Sequence, residues 1–366
     1  MDRKLKVGVI GAGVIAQVMH LHFLRELNDR FETVALCDLS NEVASACARE
    51  YGIPAVFTDW RAMLGEDLDA VLILTSGSHA PVAVEAARAG KHVFSEKPMC
   101  FSAVEGAEMI EAARVANVVL MVGYPKRYDP AFTKFVDEAA ALSEHKLLRV
   151  TTTESPFEPY VAHYPLIGPP ADVDKELLAI LRADSESRLE SAIGTNDPFL
   201  VRQYQAVLLD TLVHEVNTAR AVLGEPTSLD YVDLREGHAT VALDFGGPTC
   251  VIHWLETPDM TRYAMEFSLH AANGRATLTF PSPYLRNAPT ALVVERGGAG
   301  IDSWRREEIT SYESGFKEEL RVFYDAVTDN RSVPTDGVDA NHDIALCQAI
   351  IRSFVDRAPV ANPTEL

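Results

Sequence analysis

The segment 5–16 constrains the fold of this chain more than any other stretch. An apolar run of strand length turns into a Gly-x-Gly-x-x-Ala pattern at Gly11, Gly13 and Ala16. Gly11 permits a tight turn, Gly13 lets a pyrophosphate approach the backbone, and Ala16 lets the following helix pack closely against the strand. The free N–H groups at the start of that helix would then face the phosphates. The pattern therefore predicts a dinucleotide-binding turn.

Short glycine patterns also recur by chance, so the next strand helps to decide between two interpretations. The predicted strand 33–37 leads into Asp38, about twenty residues past the glycines, where an acid would hold the ribose hydroxyls of a dinucleotide. The alternative is a structural glycine turn in an α/β protein that binds no nucleotide. Asp38 favours the dinucleotide. Its charge also favours NAD over NADP, because it would repel the 2′-phosphate of NADP.

Composition excludes several classes of function. The chain has 366 residues, which suggests two domains, and a formal net charge of −20. Such a surface repels nucleic acid and anionic membranes, so neither is an expected partner. No apolar run approaches the length of a membrane-spanning helix. The five scattered cysteines form no C-x-x-C pair, and the N-terminus has no secretory signal, so we expect a cytoplasmic protein.

Strand-like and helix-like segments alternate over the first 123 residues. The alternation predicts a parallel sheet with helices on both faces, so we assign residues 1–123 to an NAD-binding Rossmann domain. The segment 124–130 contains two prolines and is predicted to be irregular and to mark the domain boundary. The predicted strands of the first domain are 5–10, 33–37, 69–74, 92–95 and 118–122.

Residues 124–336 are predicted to form an α+β domain. Consecutive strands with short turns between 228 and 309 indicate a large, mainly antiparallel sheet. An aromatic-rich loop and a charged helix form an insertion at about 156–200, and residues 337–366 are predicted to form a helix that packs back on the Rossmann domain. Helices cover only one face of such an open-faced sheet. We therefore expect a homodimer or homotetramer through the other face.

The sequence Glu96-Lys97-Pro98 follows the predicted strand 92–95. In an open parallel sheet the ligand crevice lies at the carboxyl ends of the strands, so Glu96 and Lys97 are predicted to lie beside the nicotinamide. Pro98 is a candidate for a cis peptide bond. The alternative is an exposed lysine before a loop proline, and the position of the pair in a dinucleotide fold argues against it.

A long helix is predicted over 198–223, and polar residues interrupt its apolar surface. Asp210, His214 and Asn217 are spaced to share one face of the helix. A polar stripe on a buried helix is costly unless it lines a cavity or is fully hydrogen-bonded. Histidine beside a carboxylate is a common general-base arrangement. The alternative is an Asp–His pair that only anchors the helix.

These clusters, taken in order, closely resemble the Gfo/Idh/MocA oxidoreductase family. The matching elements are Gly-x-Gly-x-x-Ala, Glu-Lys-Pro, the segment 123–132 (Gly-Tyr-Pro-Lys-Arg-Tyr-Asp-Pro-Ala-Phe) and Asp-x-x-x-His, and the resemblance covers nearly the whole chain. It implies a Rossmann domain followed by a domain with a large antiparallel sheet. It also implies a nicotinamide cofactor and an oxidoreductase that transfers hydride to or from a secondary alcohol or ketone of a sugar, sugar derivative or cyclitol.

The resemblance implies roles for individual residues. Lys97, Asp210 and His214 match the catalytic trio of the family, and Arg127 and Pro130 match its linker motif. The predicted cofactor-binding residues are Gly11, Gly13, Val14, Ile15, Ala16, Asp38, Thr75, His79, Glu96, Lys97 and Arg127. The predicted substrate-binding residues are Lys97, Arg127, Tyr128, His163, Asp210 and His214, with His163 taken from the aromatic loop of the insertion. A surface loop or a subunit contact is the alternative for that loop.

The chain departs from the family pattern in places that border the substrate pocket. The loop 75–79 lacks the usual Pro-Asn, Leu212 and Asn217 replace a glycine and an acid of the helix motif, and the insertion is long. Two alternatives to a sugar or cyclitol dehydrogenase stay open: a reductase of a non-sugar carbonyl or imine, and a catalytically silent NAD-binding sensor. No metal is expected, because a lysine ammonium can stabilise the developing oxyanion.

Overall fold

A computed structural model describes residues 3–297, 300 and 302–356 of the chain. Two sheets organise these residues, one six-stranded and parallel, the other eight-stranded and mainly antiparallel. This architecture confirms the predicted fold class. Residues 357–366, the end of the predicted C-terminal helix, lie outside the described residues. In the described part, no helix has both the length and the apolar character needed to cross a membrane.

The strands of the first sheet are β1 (Leu5–Ile10), β2 (Phe31–Cys37), β3 (Ala55–Phe57), β4 (Ala70–Ile73), β5 (His92–Glu96) and β6 (Leu120–Gly123). Their order is β3-β2-β1-β4-β5-β6, with parallel neighbours throughout. The middle strands are apolar along most of their length because helices cover both faces, and Val7 and Val9 of β1 are fully buried. The sequence analysis missed β3, since three residues are too few to display a pattern.

The helices of this domain are α1 (Leu21–Glu26), preceded by a π-helical segment (Ala16–His20), α2 (Asn41–Tyr51), α3 (Trp60–Met63), α4 (Ala80–Arg88) and α5 (Ala103–Ala116). Side chains cap several of them. The Asp59 carboxylate accepts from the Arg61 N–H at 2.9 Å, and the Ser102 hydroxyl accepts from the Glu105 N–H at 3.2 Å. These bonds satisfy N–H groups that a helix start leaves free.

The linker 124–130 is more regular than the sequence analysis predicted. It contains a short helix, α6 (Pro125–Tyr128), and leads into α7 (Pro130–Ala140). Both prolines stand at the first position of a helix, where a missing N–H costs no hydrogen bond. Asp129 caps α7 by accepting from the Ala131 N–H at 2.8 Å. The two prolines therefore begin helices instead of preventing them, which corrects the prediction.

The strands of the second sheet are β7 (His145–Glu154), β8 (Ser228–Arg235), β9 (His238–Asp244), β10 (Thr249–Glu256), β11 (Ala264–Ala271), β12 (Gly274–Phe280), β13 (Ala291–Gly297) and β14 (Ser303–Ile309). Their order is β14-β13-β12-β11-β7-β10-β9-β8, in which β7 and β10 form a parallel pair. Inward residues such as Val150 and Phe267 are fully buried. The residues that alternate with them along the strands point to the opposite face. That face carries ion pairs such as Arg149–Glu266 at 2.6 Å and is therefore polar.

The remaining helices of the second domain are α8 (Glu158–Val161), α9 (Lys175–Ile193), α10 (Pro198–Arg202) and α11 (Val213–Leu223). The single helix predicted over 198–223 is interrupted, because a π-helical segment (Gln203–Leu212) lies between α10 and α11. Wider winding rotates the side chains of this segment relative to those of an unbroken α-helix. This change in phase affects Asp210, which lies inside the segment.

The chain ends with α12 (Gly315–Asp329) and α13 (Gly337–Asp356). Phe316 and Phe323 of α12 are buried in the same apolar cluster as strand β1, so α12 packs on the Rossmann domain. The predicted boundary at residue 336 stays a prediction, and α12 is a helix of residues 124–336 that contacts the first sheet's core. Helix α13 packs on α5 of the first domain and on α11 and β8 of the second.

Gly315 allows the start of α12 to approach α6 closely. A Cβ at this position would lie 2.1 Å from the Pro125 carbonyl oxygen, closer than any real contact. We predict that Gly315→Ala lowers the free energy of unfolding by about 1–3 kcal/mol, the usual cost of overpacking, as measured by urea denaturation. Gly247→Ala is the control, since a Cβ there meets nothing within 4 Å. Equal stability of the two variants would contradict the close approach.

Candidate active site

The glycine turn has the shape of a phosphate cradle. Gly11 has a φ of +100°, its N–H donates to the Cys37 carbonyl at 2.8 Å, and a Cβ on it would lie 2.8 Å from the backbone of Leu74. Gly13 is exposed, and a Cβ there would meet no protein atom within 4 Å. The first glycine is thus required by the protein itself. The second borders open space in which a pyrophosphate fits.

Asp38 is held against this turn. Its two carboxylate oxygens accept from the Ala12 N–H at 2.8 Å and from the Ser40 N–H at 2.9 Å. Its location at the end of β2 places a carboxylate beside the cradle, where the ribose of a dinucleotide would lie. Helical structure begins directly after Gly13, at the half-buried Val14 and Ile15. The residues present therefore fit a nicotinamide dinucleotide.

The loop after β4 is shaped by a buried histidine. His79 is fully buried, its Nε2 lies 2.7 Å from the Thr75 carbonyl oxygen, and its Nδ1 lies 3.0 Å from the Ser95 hydroxyl. Burial lowers the pKa of His79, which keeps the ring neutral. Thr75 is half-buried. The structure therefore places His79 beneath the loop, with both ring nitrogens engaged, and leaves Thr75 nearer the surface.

Glu96 also lies beneath the site and supports Lys97. Its Oε1 lies 2.7 Å from His20 Nε2, and its Oε2 accepts from the Lys97 N–H at 2.9 Å. Glu319 of α12 completes a buried group in which ligand-type atoms of all three side chains lie within 4.8 Å of one another. Burial, followed by the charge of Glu96, raises the pKa of Glu319 well above its ordinary value. These surroundings therefore favour the protonated form of Glu319. The absence of a catalytic metal stays a prediction.

Lys97 reaches across to the second domain. Its ammonium donates to the Asp210 carbonyl at 2.6 Å and to the Asp210 carboxylate at 2.7 Å. Burial lowers the pKa of Lys97, but the charges of Asp210 and Glu96 outweigh burial and raise it above its ordinary value. The group is thus a cation and not a base. The Lys97–Pro98 peptide bond is cis.

His214 lies in α11 beside these charges. It is 9% exposed, its Nδ1 has no partner among the described residues, and its ring stands edge-on to Tyr124 with centroids 5.8 Å apart. Burial, followed by the charges of Lys126 and Lys97, lowers the pKa of His214 well below its ordinary value of 6.5. The ring is therefore neutral at neutral pH and able to accept a proton.

Asn217 does not share the site with Asp210 and His214. Its amide donates to Asp339 at 2.8 Å and to Asp343 at 2.7 Å, both on α13, and its carbonyl accepts from Arg127 at 2.9 Å. The polar stripe is therefore divided by its partners, since Asp210 contacts Lys97 whereas Asn217 contacts α13. The π-helical segment changes the phase of Asp210 only, because His214 and Asn217 both lie in α11. Arg127, predicted to bind ligands, joins the linker to α11 through Asn217.

Tyr128 and His163, which were also predicted to bind substrate, differ from each other in their surroundings. Tyr128 is buried, with its hydroxyl 2.6 Å from the hydroxyl of Thr335. His163 is exposed and stacks on Tyr164 with ring centroids 4.1 Å apart. The Tyr164 hydroxyl donates to the Tyr284 carbonyl at 2.9 Å. The insertion loop is thus docked on its neighbours, and a substrate contact by His163 stays a prediction.

A second set of charged groups adjoins Lys97, Asp210 and His214, and the sequence analysis missed it. Lys126 is 7% exposed and has no hydrogen-bond partner in the described part of the chain. Burial lowers its pKa to about 8, partly offset by Glu215. Burial likewise raises the pKa of both Glu215 and Glu154 to about 7. The Thr152 hydroxyl donates to Glu215 at 2.5 Å. Of the residues Lys126, Glu154 and Glu215, only Lys126 could have been identified from the sequence, because it directly precedes Arg127 in the linker motif.

The fold and these contacts fit an oxidoreductase that binds a nicotinamide dinucleotide. Residues 5–124 match the family model GFO_IDH_MocA, described as "Oxidoreductase family, NAD-binding Rossmann fold". This match confirms the family predicted from the motifs. Residues 5–124 are therefore identified as an NAD-binding Rossmann domain of the kind found in this oxidoreductase family.

Similar proteins cover nearly the whole chain. An uncharacterized oxidoreductase, YrbE of Bacillus subtilis, is 24% identical over 365 residues, which are 99% of this chain and 97% of the relative. A myo-inositol 2-dehydrogenase of Thermotoga maritima is 22% identical over 372 residues, covering 97% and 98%. The crystal structure of KijD10, a 3-ketoreductase from Actinomadura kijaniata in complex with NADP, aligns with a TM-score of 0.72 and 19% identity over 95% of this chain and 96% of that one. That likeness establishes the shared fold.

The open space at Gly13 gives a test of the cofactor cradle. We predict that Gly13→Ala leaves the midpoint of urea unfolding unchanged, because the new methyl group meets no protein atom within 4 Å. The same methyl group should weaken NAD binding by tenfold or more, since it occupies the approach of the pyrophosphate. Calorimetric titration with NAD measures this. A variant that binds NAD like the wild type would show that the phosphates lie elsewhere, and Gly247→Ala serves again as the control.

Proposed function

We propose that this chain is a dehydrogenase that uses NAD to oxidise a secondary alcohol of a sugar, sugar derivative or cyclitol. One observation carries the proposal: Lys97, Asp210 and His214 converge at the carboxyl end of β5, on the same edge of the sheet as the glycine turn. A cation that can hold an oxygen and a neutral base are the two groups that alcohol oxidation requires.

The residues divide the chemistry between them. NAD, when bound, supplies the carbon that accepts the hydride. His214 accepts the proton of the substrate hydroxyl, and the Lys97 ammonium stabilises the negative charge that develops on the same oxygen. Asp210, with 66% of its side chain exposed, holds the ammonium and can accept a hydrogen bond from a neighbouring substrate hydroxyl. In the reverse direction the protonated His214 returns the proton to a ketone oxygen.

The charged groups around the trio support a polyhydroxylated substrate. Lys126 offers hydrogen-bond donors, and Glu154 offers a carboxyl group of mixed protonation near neutral pH. Donors and acceptors that lie together suit the hydroxyls of such a substrate. The names of similar proteins, a myo-inositol 2-dehydrogenase and a 3-ketoreductase, agree with this class and leave the favoured direction open.

Cofactor choice, assembly and location complete the proposal. Asp38 supports NAD over NADP because its charge opposes a 2′-phosphate. The exposed Tyr231, Trp304 and Ile309 on the edge strands β8 and β14 support a homodimer or homotetramer, which sedimentation velocity would reveal. The five cysteines are buried and unpaired, which supports a reducing cytoplasm.

A substrate panel tests the function directly. Purified protein is incubated with NAD or NADP and with free sugars, glycosides, inositols and simple non-sugar alcohols, and with keto sugars and imines in the reducing direction. Nicotinamide absorbance is the readout. Turnover confined to imines or non-sugar carbonyls would establish the alternative reductase. NAD binding without turnover of any substrate would establish a silent sensor.

Substitution of the trio tests the mechanism. We predict that Lys97→Ala and His214→Ala each lower kcat for oxidation by roughly a hundredfold or more, the scale of a lost acid–base or oxyanion contact. NAD affinity should persist in His214→Ala, because the glycine turn and Asp38 are untouched. His253→Ala on β10 is the matched control and should retain full activity. Near-normal turnover in a folded His214→Ala variant would leave His214 with a structural role only.

The pH dependence of kcat/KM tests the state of His214. Oxidation requires the neutral ring, whose pKa is lowered below 6.5 by burial and by two lysines. We therefore predict that the loss of activity at acid pH begins below 6.5. Lys126→Met removes one of these positive charges, so it should raise the pKa of His214 and move the acid limb to higher pH. An acid limb at the same pH in both proteins would contradict the influence of Lys126.

A further inference from the structure

The insertion reaches back to the cofactor side of the Rossmann domain through Asp172. The Ser40 hydroxyl donates to one carboxylate oxygen of Asp172, and the Glu42 N–H donates to the other at 2.9 Å. Ser40 is also the cap of α2, where its hydroxyl accepts from the Val43 N–H at 3.0 Å. These hydrogen bonds lower the pKa of Asp172, so it is ionised. A carboxylate from the second domain thus occupies the start of α2.

This place is close to the predicted ribose site. Asp38 lies two residues before Ser40 and accepts from the Ser40 N–H at 2.9 Å. The two carboxylates therefore bind different groups of the same residue, the N–H and the hydroxyl of Ser40. In dinucleotide folds the acid at the end of the second strand holds the ribose hydroxyls, and the 2′-phosphate of NADP is accommodated beside it. The hydroxyl and N–H groups at the helix start are the donors that such a phosphate would use.

The segment that carries Asp172 is held in position by further contacts. Gln17, in the helix after the glycine turn, accepts from the Ile167 N–H at 2.8 Å and donates to the Ile167 carbonyl at 2.9 Å. The same Gln17 amide donates to the Ala12 carbonyl at 2.7 Å. The Arg286 guanidinium stacks over Tyr164 at 4.4 Å. Residues 164–172 therefore form a strap that runs from the second domain across the edge of the cofactor site.

We propose that Asp172 is a second determinant of cofactor choice, which excludes the 2′-phosphate of NADP. It does so in two ways. It occupies the Ser40 hydroxyl and the Glu42 N–H, and it adds a negative charge to that of Asp38, so that a phosphate would meet two carboxylates at short range. NAD has only a hydroxyl at this position and avoids both penalties. The inference rests on the proposed function only for the identity of the cofactor as a nicotinamide dinucleotide.

Substitution of Asp172 separates its role from that of Asp38. We expect Asp172→Asn to tighten NADP binding roughly tenfold while NAD binding changes by less than about twofold, since one nearby charge of a partly exposed site is removed. The gain should shrink with added salt, because exposed charges are screened. Asp38→Ala alone should leave NADP binding weak, and the double variant should bind NADP more tightly than either single variant.

The matched control is Asp174→Asn, the same change two residues beyond the end of the strap. Asp174 caps α9 by accepting from the Glu176 N–H at 2.8 Å, and asparagine caps helices equally well. Calorimetric Kd values for NAD and NADP, with melting temperatures, are measured for all variants. An unchanged NADP to NAD ratio in Asp172→Asn, or parallel weakening of both cofactors, would overturn the proposal. A selective NADP gain without turnover of any sugar would support it and defeat the proposed function, whereas failure of the wild type to bind either dinucleotide would defeat both.

Discussion

The contact between Lys97 and Asp210 joins the two halves of the site. Lys97 stands at the end of the Rossmann sheet, whereas Asp210 stands in the π-helical segment of the second domain. One ammonium donates to both the carbonyl and the carboxylate of Asp210, and the backbone N–H of the same lysine is held by Glu96. The distance between cofactor and substrate groups therefore depends on this charged contact, since it fixes a strand end against a helix.

Neighbouring charges give two basic side chains opposite protonation states. Burial alone would lower the pKa of both Lys97 and His214. For Lys97, the charges of Asp210 and Glu96 outweigh burial and keep the ammonium charged. For His214, the charges of Lys126 and Lys97 add to burial and keep the imidazole neutral. Proteins commonly shift the pKa values of two titratable groups in one crevice in opposite directions. One group then stays charged and stabilises charge on the substrate, while the other stays neutral and acts as the base.

Features carried by short stretches of sequence were predictable, and features that depend on distant partners were not. The glycine turn and the Glu96-Lys97 pair each lie within a few residues, and the fold brings them to one edge of the sheet because parallel strands end there. The winding of the helix that carries His214 depends on packing. Asn217 has partners 122 and 126 residues away, and no periodicity within the helix reveals them.

In the linker, the residue that lies beside the proposed site is Lys126 and not its predicted neighbour Arg127. The family pattern drew attention to Arg127, which the short helix α6 directs to Asn217 in the structure. Lys126, one position earlier, lies among Lys97, Glu154 and Glu215 instead. Consecutive residues of a helix do not face the same side, so a prediction made from a motif can select the neighbour of the functional residue.

Lys126 and Asp172 together indicate where this chain adapts a common fold. Neither belongs to the proposed catalytic trio, and the two residues lie at opposite ends of the proposed cleft. Lys126 contributes positive charge beside the base, and its own pKa of about 8 reflects the cost of burial. Asp172 contributes negative charge beside the proposed ribose site, from a segment that lies 132 residues beyond Ser40. Because the shared motifs hold the reacting groups in place, residues outside them can change the charge at either end of the cleft without rebuilding the chemistry.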